Sequence, residues 1–327
     1  MSHIGFDGRV AVITGAGNGL GRSYALELAA RGAKVIVNDL GSTISGDGRD
    51  DDVARGVVDE IEVAGGVALA HFGDVGSADD MQALIDLAVG SWGRIDILVS
   101  NAGIMDGNVF SSPEMWDKSL RVNLHGVVNP LRAAWPHFTE QNYGRVVNTS
   151  SSSMMGTPHS VPYAAAKAAV VGLTKVLANS YHGMDVKFNA LMPTAWSRMT
   201  GQNPEGTYRD WLHKHFPAER VAPFVALLCH ESLEVSGEVF TVGGGRAARV
   251  LFELTDGWWE EEPTAESFSE HFDVVMSGSN PLFASSGQGD LARYADWLGE
   301  SGGFPEEMIE RARAGRQSGV SPSSPLS

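Results

Sequence analysis

Tyr163 and Lys167 stand four residues apart in Tyr163-Ala164-Ala165-Ala166-Lys167, a spacing that sets a phenol and an ammonium on one face of a helix. A free phenol keeps its proton up to a pH of about 10, so it serves as a base near neutrality only where a positive charge favours the phenolate. Lys167 can supply that charge. A bare Tyr-x-x-x-Lys is more often a packed helix with a surface lysine. The rest of the chain changes the reading.

The elements that must position this pair follow a strand–helix rhythm. Arg9 to Thr14 is a short β-branched run, followed at once by Gly15-Ala16-Gly17-Asn18-Gly19-Leu20-Gly21 and by a helical pattern that stops at Gly32, which reads as strand, tight turn and helix. A second strand, Lys34 to Asn38, ends at Asp39, so the two strands pair in parallel. The glycines let the backbone approach a pyrophosphate, whose charge meets free N–H groups at the helix start. Asp39 stands where both ribose hydroxyls of an adenosine could donate to it, and its charge opposes a 2′-phosphate, which favours NAD over NADP. The stretch 41–52, rich in Gly, Asp and Ser, reads as a flexible surface loop without chemistry. The rhythm resumes through Asp74-Val75 to a strand at 95–100 followed by Asn101-Ala102-Gly103, at the strand ends where open α/β sheets bind ligands. Helices follow at about 113–120 and 123–140, a strand at 145–149 ending in Ser150-Ser151-Ser152-Ser153, the helix 161–181 carrying Tyr163 and Lys167, and a strand at 186–191 before Met192-Pro193-Thr194. A helix at 219–230 and a last strand at 238–242, ending in Gly243-Gly244-Gly245, close the pattern.

The chain has 327 residues, 43% of them hydrophobic, enough for one large α/β domain with an appendage. Its formal net charge of −16 argues against nucleic acid or anionic membrane as a partner, since both select basic patches. A single cysteine, Cys229, leaves no internal disulfide and no Cys-rich zinc site. His213 and His215 are two apart, wrong for one helix face, and no His-Glu-x-x-His occurs, so no metal is expected. The N-terminus has no basic-then-apolar pattern, no apolar run reaches the roughly 18 residues of a membrane span, and Pro325-Leu326-Ser327 is not a Ser-Lys-Leu address. These features lead us to expect a cytosolic protein.

Thr14 to Gly21, Asn101-Ala102-Gly103, the serine run and Tyr163 to Lys167, in that order, resemble the short-chain dehydrogenases/reductases over roughly residues 5–245. Within that family Val37 to Gly41, Ser197-Arg198-Met199-Thr200, and Val221-Ala222-Pro223 with Leu228 to Ser232 are similar to the (3R)-hydroxyacyl-CoA dehydrogenase domain of peroxisomal multifunctional enzymes of type 2. The resemblance implies a doubly wound, seven-stranded parallel sheet of the Rossmann type in a homodimer or homotetramer. It implies a catalytic tetrad of Asn123, Ser151, Tyr163 and Lys167, with Tyr163 taking the alcohol proton, a serine holding the substrate oxygen, and Asn123 completing a water-linked path to Lys167. It also implies that NAD is held by Gly15, Asn18, Gly19, Leu20, Gly21, Asp39, Asp74, Val75, Asn101, Ala102, Gly103, Tyr163, Lys167, Pro193 and Thr194. The serine is the open point. Counting from the strand selects Ser151, and counting back from Tyr163 selects Ser150. We take Ser151, because sheet pairing fixes strand register while loops absorb deletions. The glycine usual after Pro193 is missing.

The expected substrate is a 3-hydroxyacyl-CoA, with a hydroxysteroid or other bulky alcohol as alternative. A non-catalytic NAD-sensing protein would have no need of Tyr163 and Lys167. Residues 195–217 read as a lid over an apolar pocket, and Arg198, Arg209, Lys214 and Arg220 as cations for the phosphates of coenzyme A. Beyond the domain 1–245 lies an extension, 246–327, with a capping box at Ser267 to Glu270, a short helix from Pro305 and a Ser/Pro-rich tail, 316–327, that reads as disordered.

Overall fold

The computed structural model describes residues 4–105, 112–156, 160–202, 205–278 and 282–283. The helix expected from Pro305 and the tail 316–327 lie outside them. The chain divides into two units, Met1–Arg249 and Val250–Ser327.

The first unit alternates strand and helix: β1 (Val10–Thr14), α1 (Gly19–Ala30), β2 (Lys34–Asn38), α2 (Asp52–Val63), β3 (Val67–His71), α3 (Ala78–Trp92), β4 (Ile97–Ser100), α4 (Pro113–Leu120), α5 (Gly126–Gln141), β5 (Gly144–Thr149), α6 (Val161–Ser180), β6 (Val186–Pro193), α7 (Thr207–His215), α8 (Ala222–Cys229), β7 (Val239–Gly243) and β8 (Arg246–Arg249). The sheet order is β3-β2-β1-β4-β5-β6-β7-β8. The first seven strands are parallel, as expected, and β8 is an antiparallel addition. Gly244 and Gly245 both have positive φ, 59° and 86°, the conformation of a two-residue hairpin turn. The glycine run that reads as the end of the fold is therefore a turn into one more strand.

Both faces of the sheet are covered, which is why β1, β2 and β4 are largely apolar along their length. Ala11 and Ile13 of β1 pack with Tyr24, Leu28, Val57 and Val225 from α1, α2 and α8. Val10 and Val12 face the other way, onto Met81, Leu84, Leu131 and Phe138 of α3 and α5. The strand order reverses at β1, between β2 and β4, which opens a crevice at the strands' C-terminal ends.

Three expectations change. α4 does not end before α5; it runs on through a π-helical turn, Arg121–His125, into α5. The wider turn gives Asn123 an inward direction, and such turns recur at functional sites. α6 has the length and apolar composition of a membrane-crossing helix, although no run of 18 apolar residues was expected. Here it packs on β6 and buries Lys167. Finally, the capping box of the second unit lies earlier than expected. Thr264 caps α9 (Ala265–Glu270) and exchanges bonds with Ser267, because the Thr264 hydroxyl reaches the Ser267 N–H at 3.0 Å while the Ser267 hydroxyl accepts from the Thr264 N–H at 2.9 Å. α10 (Phe272–Met276) follows, and β9 (Glu253–Leu254) pairs with β10 (Leu282–Phe283).

Candidate active site

The turn between β1 and α1 is built for close approach. Gly15 has a φ of 61°, and a Cβ there would lie 2.7 Å from the Cα of Ala102. A Cβ on Gly21 would lie 2.1 Å from the Gly15 carbonyl oxygen, so the helix can start this close to the strand only without a side chain. Asn18 enters α1 in an extended conformation and makes no side-chain cap, so it does not occupy the N–H groups that a helix's first turn offers to an anion. Asn101 ties β4 to β1. Its side-chain amide donates to the carbonyls of Thr14 and Gly15 at 3.1 Å each, and Thr14 Oγ1 accepts from the Asn101 and Ala102 N–H groups. Asn101 thus shapes the cradle by bracing its backbone.

Asp39 is buried just past the end of β2. One carboxylate oxygen accepts from the Gly17 N–H at 2.8 Å and the other from the Gly41 N–H at 2.7 Å, so the carboxylate is fixed at the edge of the glycine turn. Asp74 follows β3, with one oxygen on the Gly76 N–H and the other on Arg121, and the neighbouring Val75 carbonyl accepts from Asn129. Pro193 ends β6, and the Thr194 N–H donates to the Val242 carbonyl at 2.8 Å. A dinucleotide's requirements match this chain: a cradle that any Cβ would fill, N–H groups for the diphosphate and a fixed carboxylate for the ribose.

Tyr163 and Lys167 share one side of α6. Lys167 is 2% exposed, its ammonium donates to the Thr149 carbonyl at 2.8 Å and lies 5.6 Å from the centre of the Tyr163 ring. The two serines separate cleanly. Ser150 is 1% exposed and donates to the Lys167 carbonyl at 2.7 Å, whereas Ser151 shares a hydrogen bond with the Tyr163 side chain. Asn123 is fully buried on the π-helical turn. Its oxygen accepts from the Ile104 N–H at 3.1 Å, and its amide donates to the Ile104 carbonyl and to Ser119. Gly103 separates Asn123 from Lys167: a Cβ there would lie 2.9 Å from Asn123 Oδ1 and 3.7 Å from Lys167 Nζ.

The titration of this group differs from the simplest expectation. Burial pushes the Tyr163 phenol above its ordinary value, and the Ser151 hydrogen bond draws it partly back. Lys167, expected to pull the phenol down, is itself burdened by burial, which lowers its pKa to about 8. In this structure Ser151 is the group that eases deprotonation of Tyr163.

The loop 41–51 is a correction of a different kind. In place of a loose surface segment, the Ile44 carbonyl accepts from the Met105 N–H at 3.2 Å, Asp47 pairs with Lys118 of α4 at 2.6 Å, and the Ser42 carbonyl accepts from Arg198 at 3.0 Å. The loop therefore runs as a strap between the segments that follow β2, β4 and β6. Local polarity gave no sign of this, since every tether is distant in sequence.

Residues 195–217 hold a 3₁₀ turn and α7. Trp196 packs on His213, with ring centres 4.9 Å apart, and Trp211 packs on Phe216, also at 4.9 Å. Three of the four cations expected to meet coenzyme A do not converge. Arg209 leans over Trp196, Arg220 donates to the His215 carbonyl, and only Arg198 lines the cavity of about 380 Å³ beside Asn18 and Gly19.

A doubly wound sheet with a glycine cradle at its switch point, and a tyrosine and lysine beside it, defines a dinucleotide-dependent oxidoreductase. The family model described as short chain dehydrogenase matches residues 9–205, and the chain belongs to that family. It is 43% identical over 286 residues to the peroxisomal multifunctional enzyme type 2 of Mus musculus, covering 85% of this chain and 38% of that one. It is 45% identical over 256 residues to a putative short-chain type dehydrogenase/reductase of Mycobacterium tuberculosis, covering 77% and 88%. Among solved structures, a 7α-hydroxysteroid dehydrogenase complexed with NADH and 7-oxo glycochenodeoxycholic acid superimposes with a TM-score of 0.66 at 27% identity, covering 74% and 96%. The chain spans 34% to 40% of the length of three multifunctional relatives. The expectation of a cytosolic protein is overturned by these comparisons, because those three relatives are peroxisomal enzymes by name.

Proposed function

We propose that the chain is an NAD-dependent dehydrogenase of 3-hydroxyacyl-CoA thioesters. The observation that carries the chemistry is the pairing of Tyr163 with buried Lys167, whose ammonium lies 5.6 Å from the Tyr163 ring and donates to the Thr149 carbonyl at the end of β5, with the glycine cradle beside them. Bound NAD supplies the acceptor for the hydride that leaves the carbinol carbon. Tyr163 Oη takes the hydroxyl proton while Ser151 holds the same substrate oxygen. Lys167 keeps a positive charge near the phenolate and would hold the nicotinamide ribose when NAD is bound. Asn123 holds its turn against Ile104, so that the space beside Gly103 stays open to a water-linked path for the proton.

The thioester assignment rests on the multifunctional relatives. The hydroxysteroid dehydrogenase neighbour supports a bulky alcohol as a second reading. A screen of NAD-dependent turnover across 3-hydroxyacyl-CoA and steroid alcohols separates the two: the highest kcat/KM is expected with an acyl-CoA, and a steroid turned over far better than any thioester would remove the first reading while leaving the dehydrogenase. A homo-oligomer also belongs to the proposal. Ala165, Ala169, Gly172 and Val176 form an exposed, uncharged stripe along α6, and light scattering of the purified chain tests it.

Cofactor choice follows from Asp39. Its carboxylate is fixed by two backbone N–H groups and pairs with no cation among the described residues, so a 2′-phosphate meets a charge that cannot turn away. The kcat/KM with NADP should be on the order of ten- to a hundredfold below that with NAD. Equal efficiency would show that Asp39 does not face the ribose.

A further inference from the structure

The strand order places the adenine end of a dinucleotide. With Asp39 at the end of β2 to meet the ribose, the base would lie farther out, toward the end of β3, where Asp74, Val75 and Gly76 follow. We propose that Arg121 is a positioning residue for this adenine subsite, acting through Asp74. The inference rests on the NAD reading above.

Arg121 pairs with Asp74 Oδ2 at 2.6 Å, while Oδ1 accepts from the Gly76 N–H at 2.8 Å and the Asp74 N–H donates to Asp80 at 2.8 Å. The carboxylate is thereby held in one orientation. Gly76 makes the pairing possible: a Cβ there would lie 2.2 Å from Arg121 Nη1 and 2.8 Å from its Cγ, so the arginine lies directly across the glycine. Two further contacts clamp the same three residues from α5. Asn129 donates to the Val75 carbonyl at 3.0 Å, and Gly126 is seated where a Cβ would come within 2.7 Å of Val75 Cγ2.

Arg121 also opens the π-helical turn that carries Asn123. From one turn, Arg121 reaches outward to the adenine side and Asn123 inward to Ile104, beside Gly103 and Lys167. The Arg121 and Asp74 side chains are 44% and 26% exposed, and an ion pair this accessible adds little to folding stability. Its consequence lies in where the carboxylate points, because without Arg121 the Gly76 N–H is the one described donor that orients it.

The test is calorimetric binding of ADP-ribose and of NAD to the full chain, with steady-state kinetics alongside. Arg121→Met should weaken both ligands on the order of three- to fivefold, with kcat at saturating NAD kept within about twofold. Arg121→Lys, which keeps the charge, should recover most of the affinity. Gly76→Ala, which leaves the arginine in the chain but displaces it, should match Arg121→Met. Unchanged ADP-ribose affinity in Arg121→Met, or a kcat that falls in step with affinity, would overturn the positioning role. A wild-type protein that binds ADP-ribose beside an indifferent Arg121→Met overturns this inference alone. A wild type with no affinity for ADP-ribose overturns the cofactor reading with it.

Discussion

Replacing Tyr163 by Phe should lower kcat on the order of a thousandfold while leaving NAD affinity within about twofold, since a positioned acid–base group contributes roughly 10²- to 10⁴-fold. The ring still packs on α6 beside Lys167; only the oxygen that takes the proton is gone. Ser151 remains to hold the substrate oxygen but cannot replace a phenolate as base. Burial holds the phenol above its ordinary value, so wild-type alcohol oxidation should quicken as pH rises and more phenolate forms, and this dependence should vanish in the variant. Steady-state kcat across pH, with calorimetric NAD titration, measures both halves. Activity within about tenfold of wild type would remove Tyr163 from the mechanism.

Lys167→Met should divide function from stability. Turnover should fall on the order of a hundredfold or more, because the buried charge beside the phenolate is lost, and NAD should bind more weakly. Folding, however, should not suffer. A lysine with a pKa of about 8 in the folded chain and about 10.4 unfolded carries its burial cost in full below pH 8. Between these values the unfolded chain binds more protons than the folded one, so wild-type stability rises with pH across that window. At pH 7 and without NAD the methionine variant should therefore be at least as stable as wild type, by about 1 kcal/mol after the lost bond to the Thr149 carbonyl is set against the relieved charge. Its advantage should shrink as pH climbs above 8. Urea unfolding of both proteins at pH 7 and pH 9.5 checks the direction, and a variant markedly less stable at pH 7 would show that the Thr149 bond outweighs the burial of charge.

Much of the molecule is determined locally, and there the sequence suffices. The strands β1, β2 and β4 are short and rich in Val and Ile because both their faces are buried. Gly15 and Gly21 of the first turn stand where a Cβ would strike Ala102 or the Gly15 carbonyl. Tyr163 and Lys167 meet because helical spacing alone brings them to one side of α6. Strand register favours Ser151 over Ser150 as the catalytic serine; in the structure Ser150 donates to the Lys167 carbonyl, which leaves Ser151 as the serine we propose for that role.

Tertiary structure decided what depends on distant partners. The segment 41–51 is polar and glycine-rich in isolation, and only Met105, Lys118 and Arg198 make it a strap. Three of the lid's four cations are drawn apart by separate neighbours: Arg198 by the Ser42 carbonyl, Arg209 by Trp196 and Arg220 by the His215 carbonyl. The π-helical turn arises where Asn123 finds Ile104 and Ser119. The proton affinities of Tyr163 and Lys167 were likewise beyond reach of spacing: spacing brings charge to the phenol, but burial sets the energy of that charge, and burial is a property of the whole packed chain.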